Sequence, residues 1–184
     1  MRPASERLRN MGYDVVGIHI RAGDYGRLIH YFTPVQWYRN WLAAIWPLLD
    51  RPVLFIAAED RAQVEAFSDY NPRTPESLGI DLNSTPLEDF SYQQYDKDNP
   101  QPHTMDFLPD WYLLTQCHYL GIGNSTFSFT AAMLADELVQ CWRSRLPLYG
   151  FEPIDPWNAT PLTYEMVDQF RHLPGVGVDK NPQW

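Results

Sequence analysis

A chain of 184 residues, 45% apolar and 15% aromatic, can bury one core of ordinary size, which excludes global disorder. Fourteen Lys and Arg against 23 Asp and Glu leave a net charge of −9. That balance excludes a nucleic-acid binder with a basic face, but not an anionic ligand held locally by one arginine.

In chain order, residues 1–13 read as a polar lead-in, with a short helix around Glu6 to Asn10. Asp14 to Ile20 is an apolar run of the kind that forms a buried parallel strand. Arg21 to Thr33 is a loop rich in Gly, Arg and His, followed by Thr33-Pro34 as N-cap and first helical position. The helix is expected to reach about Leu49, with Trp37, Trp41, Ala44, Ile45 and Leu48 as its core stripe. Val53 to Ala58 is a second buried strand, Glu59-Asp60 its C-terminal edge, and Arg61 to Phe67 a short helix.

Tyr70 to Pro109 is rich in Pro, Asn, Asp, Ser and Tyr, and is expected to hold at most one strand, near Leu78 to Leu82. Asp110 to Cys117 reads as helix, Tyr119 to Gly123 as a third buried strand, and Phe127 to about Arg143 as a further helix. Leu146 to Tyr149 is a candidate last strand, Leu162 to His172 a closing helix, and the end from Pro174 a frayed tail. Strands alternating with helices predict an α/β fold, a Rossmann-like parallel sheet flanked by helices. The expected organisation is a lead-in over 1–13, one domain over 14–173 and a tail over 174–184.

Two short segments carry chemistry. The run Val15 to Tyr25 ends in His19-Ile20-Arg21, where a strand of an open sheet delivers its C-terminal edge to a ligand crevice. An arginine there presents a planar fork suited to phosphate, and His19 lies on the same side of the strand. Asn124-Ser125-Thr126 stands between a strand and a helix, where free N–H groups and the helix dipole bind phosphate. In a parallel sheet both segments share one rim, and Asp110 adds a carboxylate able to accept hydrogen bonds from a base or ribose. Together they predict a nucleoside diphosphate site.

Elsewhere the readings are bland. Cys117 and Cys141 match no zinc or redox spacing and read as reduced thiols in or near the core. The Asn-x-Ser/Thr triplets at Asn83, Asn124 and Asn158 read as chance. No apolar run approaches the ~20 residues of a membrane span, and the polar N-terminus has no signal-peptide pattern, so no transmembrane segment and a cytoplasmic location are expected.

The segment Gly17 to Tyr25 resembles the His-x-Arg-Arg-Gly-Asp motif of the α1,2-fucosyltransferases (glycosyltransferase family 11) and their α1,6- and protein-O-fucosyltransferase relatives. Asp110 to Ser128 is similar to the second motif of that superfamily, an Asp-bearing helix followed by Asn-Ser-Thr-Phe-Ser. Leu54 to Asp60 resembles the strand between them, and Pro156-Trp157 a stretch downstream, so the similarity spans about residues 14–160. It implies the C-terminal, nucleotide-binding half of a GT-B enzyme that uses GDP-fucose as donor, with no metal and no other cofactor, and transfers fucose with inversion to a hydroxyl of a glycan acceptor.

Carried over, Arg21 would hold the β-phosphate and stabilise departing GDP, and His19 would contact the ribose or base. Asp110 would bond the guanine, and the Asn124-Ser125-Thr126 turn with Phe127 would line the diphosphate pocket. Ala22 stands where the motif has its second Arg, and Phe129-Thr130 where the α1,2 family usually has two tryptophans. The family's Gly-rich N-terminal motif is absent, so a partner chain or a missing N-terminal domain would supply the other half.

Inverting transfer needs a base for the acceptor hydroxyl, and His30 and Asp24 are the candidates. His30 reads more readily as an idle loop residue, and Asp24 as readily as a turn former. Asp96-Lys97-Asp98 looks like a metal-binding Asp-x-Asp but lacks a preceding buried strand. Tyr92, Tyr95, Trp111 and Tyr112 fit loop packing better than stacking on a sugar. The alternative function is a non-catalytic GDP- or glycan-binding module.

Overall fold

The computed structural model describes residues 1–21, 31–58, 60–81 and 107–165. The elements are α1 (Arg2–Asn10), β1 (Val15–Ile20), α2 (Val35–Ile45), β2 (Val53–Ala58) and α3 (Arg61–Glu65). They continue with α4 (Phe107–Leu114), β3 (Tyr119–Ile122), α5 (Thr126–Met133), β4 (Gln140–Arg145) and β5 (Gly150–Ile154). Five strands form one sheet in the order β2-β1-β3-β4-β5. The first four run parallel, and β5 returns antiparallel against β4 as an edge strand. The fold is thus α/β, with helices on both faces of a mostly parallel sheet.

Every residue of β1 is buried, as its apolar run requires of a strand covered on both faces. Val16, Ile18 and Ile20, with Leu54 and Ile56, pack against Tyr38, Trp41 and Leu42 of α2. On the opposite face Val15, Phe55, Ala57, Leu120 and Ile122 meet Leu8 of α1, Leu113 and Leu114 of α4 and Phe129 of α5. Gly17 is what lets Cys117, just beyond α4, and Leu120 of β3 close over β1. A Cβ there would sit 2.7 Å from both Cys117 Sγ and Leu120 Cδ2.

Several expectations need correcting. The helix expected over Phe127 to Arg143 ends at Met133, and Gln140–Arg145 is the strand β4. Gln, Arg, Ser and Arg disguise that strand because partners inside the fold, not an apolar run, pay for burying Arg143 and Ser144. Leu146 to Tyr149 is no strand: Leu146–Leu148 is a 3-10 turn with Pro147 in it, and the strand β5 follows. The polar lead-in folds as α1 from Arg2 and buries Ala4, Ser5 and Leu8.

Helix α2 is capped at Pro34 without a side-chain bond, because the Thr33 hydroxyl bonds Ser144 Oγ instead (2.8 Å). Its buried residues are Tyr38, Trp41 and Leu42; Trp41 and half-buried Ile45 keep their expected places on the core, while Ala44 and Leu48 are exposed. Helix α3 stops at Glu65 rather than Phe67. Helix α4 starts at Phe107 and ends at Leu114, taking Pro109 in its first turn, where a missing N–H costs nothing. Glu76–Leu78 is a 3-10 turn closed by left-handed Gly79, not the start of a strand. Residues 162–165 are not helical, and the remainder of that expected helix and the tail lie outside the described residues.

Candidate functional site

Strand β1 has β2 on one side and β3 on the other, so the winding direction of the sheet reverses between β1 and β3. A ligand crevice forms outside the C-terminal ends of strands at such a point. The residues delivered there are His19 and Arg21 from β1 and the Asn124–Phe127 turn from β3.

His19 pairs in register with Ala57 and Ile122 and is 5% exposed. Its ring lies 4.9 Å from that of Phe127, the second residue of α5. Its Nδ1 is buried without a hydrogen-bond partner. Burial first, then the charge of Arg21, lowers its pKa from 6.5 to about 3, so the imidazole is neutral. Arg21 is the first residue beyond β1 and half-buried. The two-residue period of the strand aims it to the α5 side with His19.

Ser125 occupies the N-cap of α5 in an extended conformation (φ −136°, ψ 130°), and its side chain makes no capping bond. The first-turn N–H groups of α5 therefore have no side-chain cap, in the place where a helix N-terminus attracts an anion. Thr126 is exposed, and Ser125 is 4% exposed. Asn124 is wholly buried: its Nδ2 donates to the Thr163 carbonyl (3.0 Å) and its Oδ1 accepts the Thr163 N–H (2.8 Å). Asn124 thus braces the turn.

Asp110 lies in the first turn of α4, the helix packed over β2 and β1. It lines a cleft of ≈ 750 Å³ beyond the end of β2, together with Ile56, Ala58, Glu65 and Glu76. Its Oδ1 is buried without a partner. Desolvation, then the charge of Glu76, raises its carboxyl from 3.8 to about 7. Asp110 thus stands on the β2 side of β1 and the α5 N-terminus on the β3 side, and the cleft that Asp110 lines takes in neither His19 nor Arg21.

A polar group that sequence reasoning missed closes the β4 side. The Tyr31 hydroxyl donates to the Ser144 carbonyl, and burial pushes its pKa upward. Arg143 Nη1 donates to the Thr160 carbonyl (2.5 Å). Arg145 binds Glu152 (2.5 Å) and Glu165. The only sequence signal was a charged residue at every second place of Arg143-Ser144-Arg145, which reads as an exposed helix as readily as a strand rim.

The other candidates divide. His30 and Asp24 lie outside the described residues, as do Asp96–Asp98, Tyr92 and Tyr95. Trp111 Nε1 donates to Thr130 Oγ1 (3.1 Å), and Tyr112 Oη meets Ser5 Oγ (3.4 Å), so both aromatics tie helices together. Phe129 is core. Both cysteines are free and buried; burial pushes the Cys117 thiol up, and that of Cys141 to about 12. Among the described residues no three His, Cys, Asp or Glu group as a metal site, and no helix is long and apolar enough to cross a membrane.

No family model and no curated protein matches the chain. Among solved structures the chain is similar to NodZ α-1,6-fucosyltransferase soaked with GDP-fucose, at 13% sequence identity and a TM-score of 0.48. The match covers 84% of this chain and 47% of that one, so the chain spans about half the length of that enzyme.

Proposed function

We propose that this chain is the nucleotide-binding part of a GDP-sugar-dependent glycosyltransferase of fucosyltransferase type. The observation that carries the reading is the meeting of His19, Arg21 and the uncapped N-terminus of α5 at the switch point between β1 and β3. In this reading the diphosphate lies over Ser125 to Phe127 with Arg21 beside it, the ribose passes neutral His19, and guanine reaches Asp110 on the β2 side. Asp110 accepts the N–H groups on the Watson–Crick edge of guanine.

As the bond between fucose C1 and the diphosphate oxygen breaks, its electron pair goes to the diphosphate. Arg21 and the α5 amides offset that growing charge without a metal. The acceptor hydroxyl oxygen forms the new bond from the opposite face, which inverts C1, and a base takes its proton. Asp24 and His30 are the proposed bases.

Calorimetry with GDP tests the reading. The wild type should bind, and Arg21→Ala should weaken binding about 10- to 100-fold, the worth of a charge-assisted contact. Equal affinity of the two proteins overturns it. Release of GDP from GDP-fucose in the presence of sugar acceptors then separates transferase from binding module: turnover lost in Arg21→Ala supports the first.

A further inference from the structure

We infer that Trp37 and Tyr149 form an aromatic corner on the C-terminal rim of the sheet that stacks on the C–H face of a pyranoside, the acceptor sugar. The inference rests on the transferase reading and adds to it a site for the second substrate.

Tyr149 is in the left-handed region (φ 50°, ψ 36°), yet the residue is 52% exposed. Glycine would close the same turn without strain, since the hydrogen bond there is from the Tyr149 N–H to the Leu146 carbonyl (3.1 Å). The other positive-φ residues have local reasons. Asn71 tolerates the region by its chemistry, and Arg51 lays its guanidinium over the Tyr13 ring at 3.5 Å. Among the described residues the Tyr149 ring meets that of Trp37 in a T-shaped contact, at 6.4 Å and 88° between planes. Two rings set at right angles, one largely exposed, make a corner with apolar faces, which suits the C–H face of a sugar better than a charged ligand.

Position supports the assignment. Trp37 lies in the first turn of α2, the helix after β1 in chain order, and Tyr149 lies just past the C-terminal end of β4. Both ends belong to the same parallel rim as Arg21. Within the sheet β4 lies two strand spacings, about 10 Å, from β1, and Trp37 stands on the α2 face, across the rim from the α5 side to which Arg21 is aimed.

Saturation-transfer NMR with lactose and N,N′-diacetylchitobiose tests the corner. Transfer to the sugar C–H protons is expected in the wild type and in Tyr149→Phe. Tyr149→Gly should bind about tenfold more weakly while its melting temperature holds or rises, because the strain is relieved. No transfer from either sugar, or unchanged binding by Tyr149→Gly, overturns the inference. A GDP titration on the same samples keeps the two readings apart. GDP binding with an indifferent corner sinks the corner alone, and failure of GDP to bind sinks the donor site while the sugar signals stand on their own.

Discussion

Burial drives His19 and Asp110 in opposite directions. The His19 pKa falls from 6.5 to about 3, so the stability that its neutral ring contributes is complete above pH 6.5 and drains away as the pH drops toward 3. His19→Phe, keeping the ring contact with Phe127, should therefore flatten the urea-denaturation midpoint between pH 6.5 and 3. A profile as steep as the wild type's would contradict this. For Asp110 the folded pKa is raised, from 3.8 to about 7. Its stabilising effect is complete below pH 3.8 and is lost as the pH rises through 7. Asp110→Asn should thus match the wild type in acid but be roughly 1–2 kcal/mol more stable at pH 8, allowing for partial solvent screening. The same variant should lose GDP affinity at pH 8. The wild type's affinity, followed by calorimetry, should fall as pH drops from 8 to 6, because a protonated carboxyl accepts fewer bonds from guanine.

Among the elements, β1 and α5 hold the site and are the least tolerant of change. Gly17→Ala puts a methyl into Cys117 Sγ and Leu120 Cδ2 and should cost about 1–3 kcal/mol in chemical denaturation. Asn124→Ala leaves both backbone groups of Thr163 without their partners and should cost a further few kcal/mol, loosening the turn before α5. The strands that carry the site were legible because His19 and Arg21 close an apolar run, and because Tyr119 to Ile122 is short, apolar and followed by a polar turn. The reversal of strand order was not legible, since no local pattern says on which side of β1 the strand β3 will lie. Strand β4 was hidden for another reason: Arg143, Ser144 and Arg145 owe their places to Thr160, Thr33, Glu152 and Glu165, partners remote in sequence. Asn124 was expected at the ligand, and its distant partner Thr163 shows a bracing role that no local pattern announces.

At the scale of the molecule, the proposed reading has a strongly acidic chain hold an anion by concentrating favourable groups at one point of the rim. The net charge of −9 repels a diphosphate at long range. The α5 N-terminus and Arg21 act within a few ångströms, where salt screens little. In the proposed reading the order Asp110, His19 with Arg21, then α5, along the rim from β2 to β3, takes base, ribose and diphosphate in sequence. Titration of the 15N-labelled protein with GDP tests that arrangement most directly. The largest amide shifts should fall on Thr126, Phe127 and Arg21, with a smaller set around Asp110 that GMP shares. Shifts absent from the start of α5, or gathered on the far edge at β5, would contradict a nucleotide at the switch point.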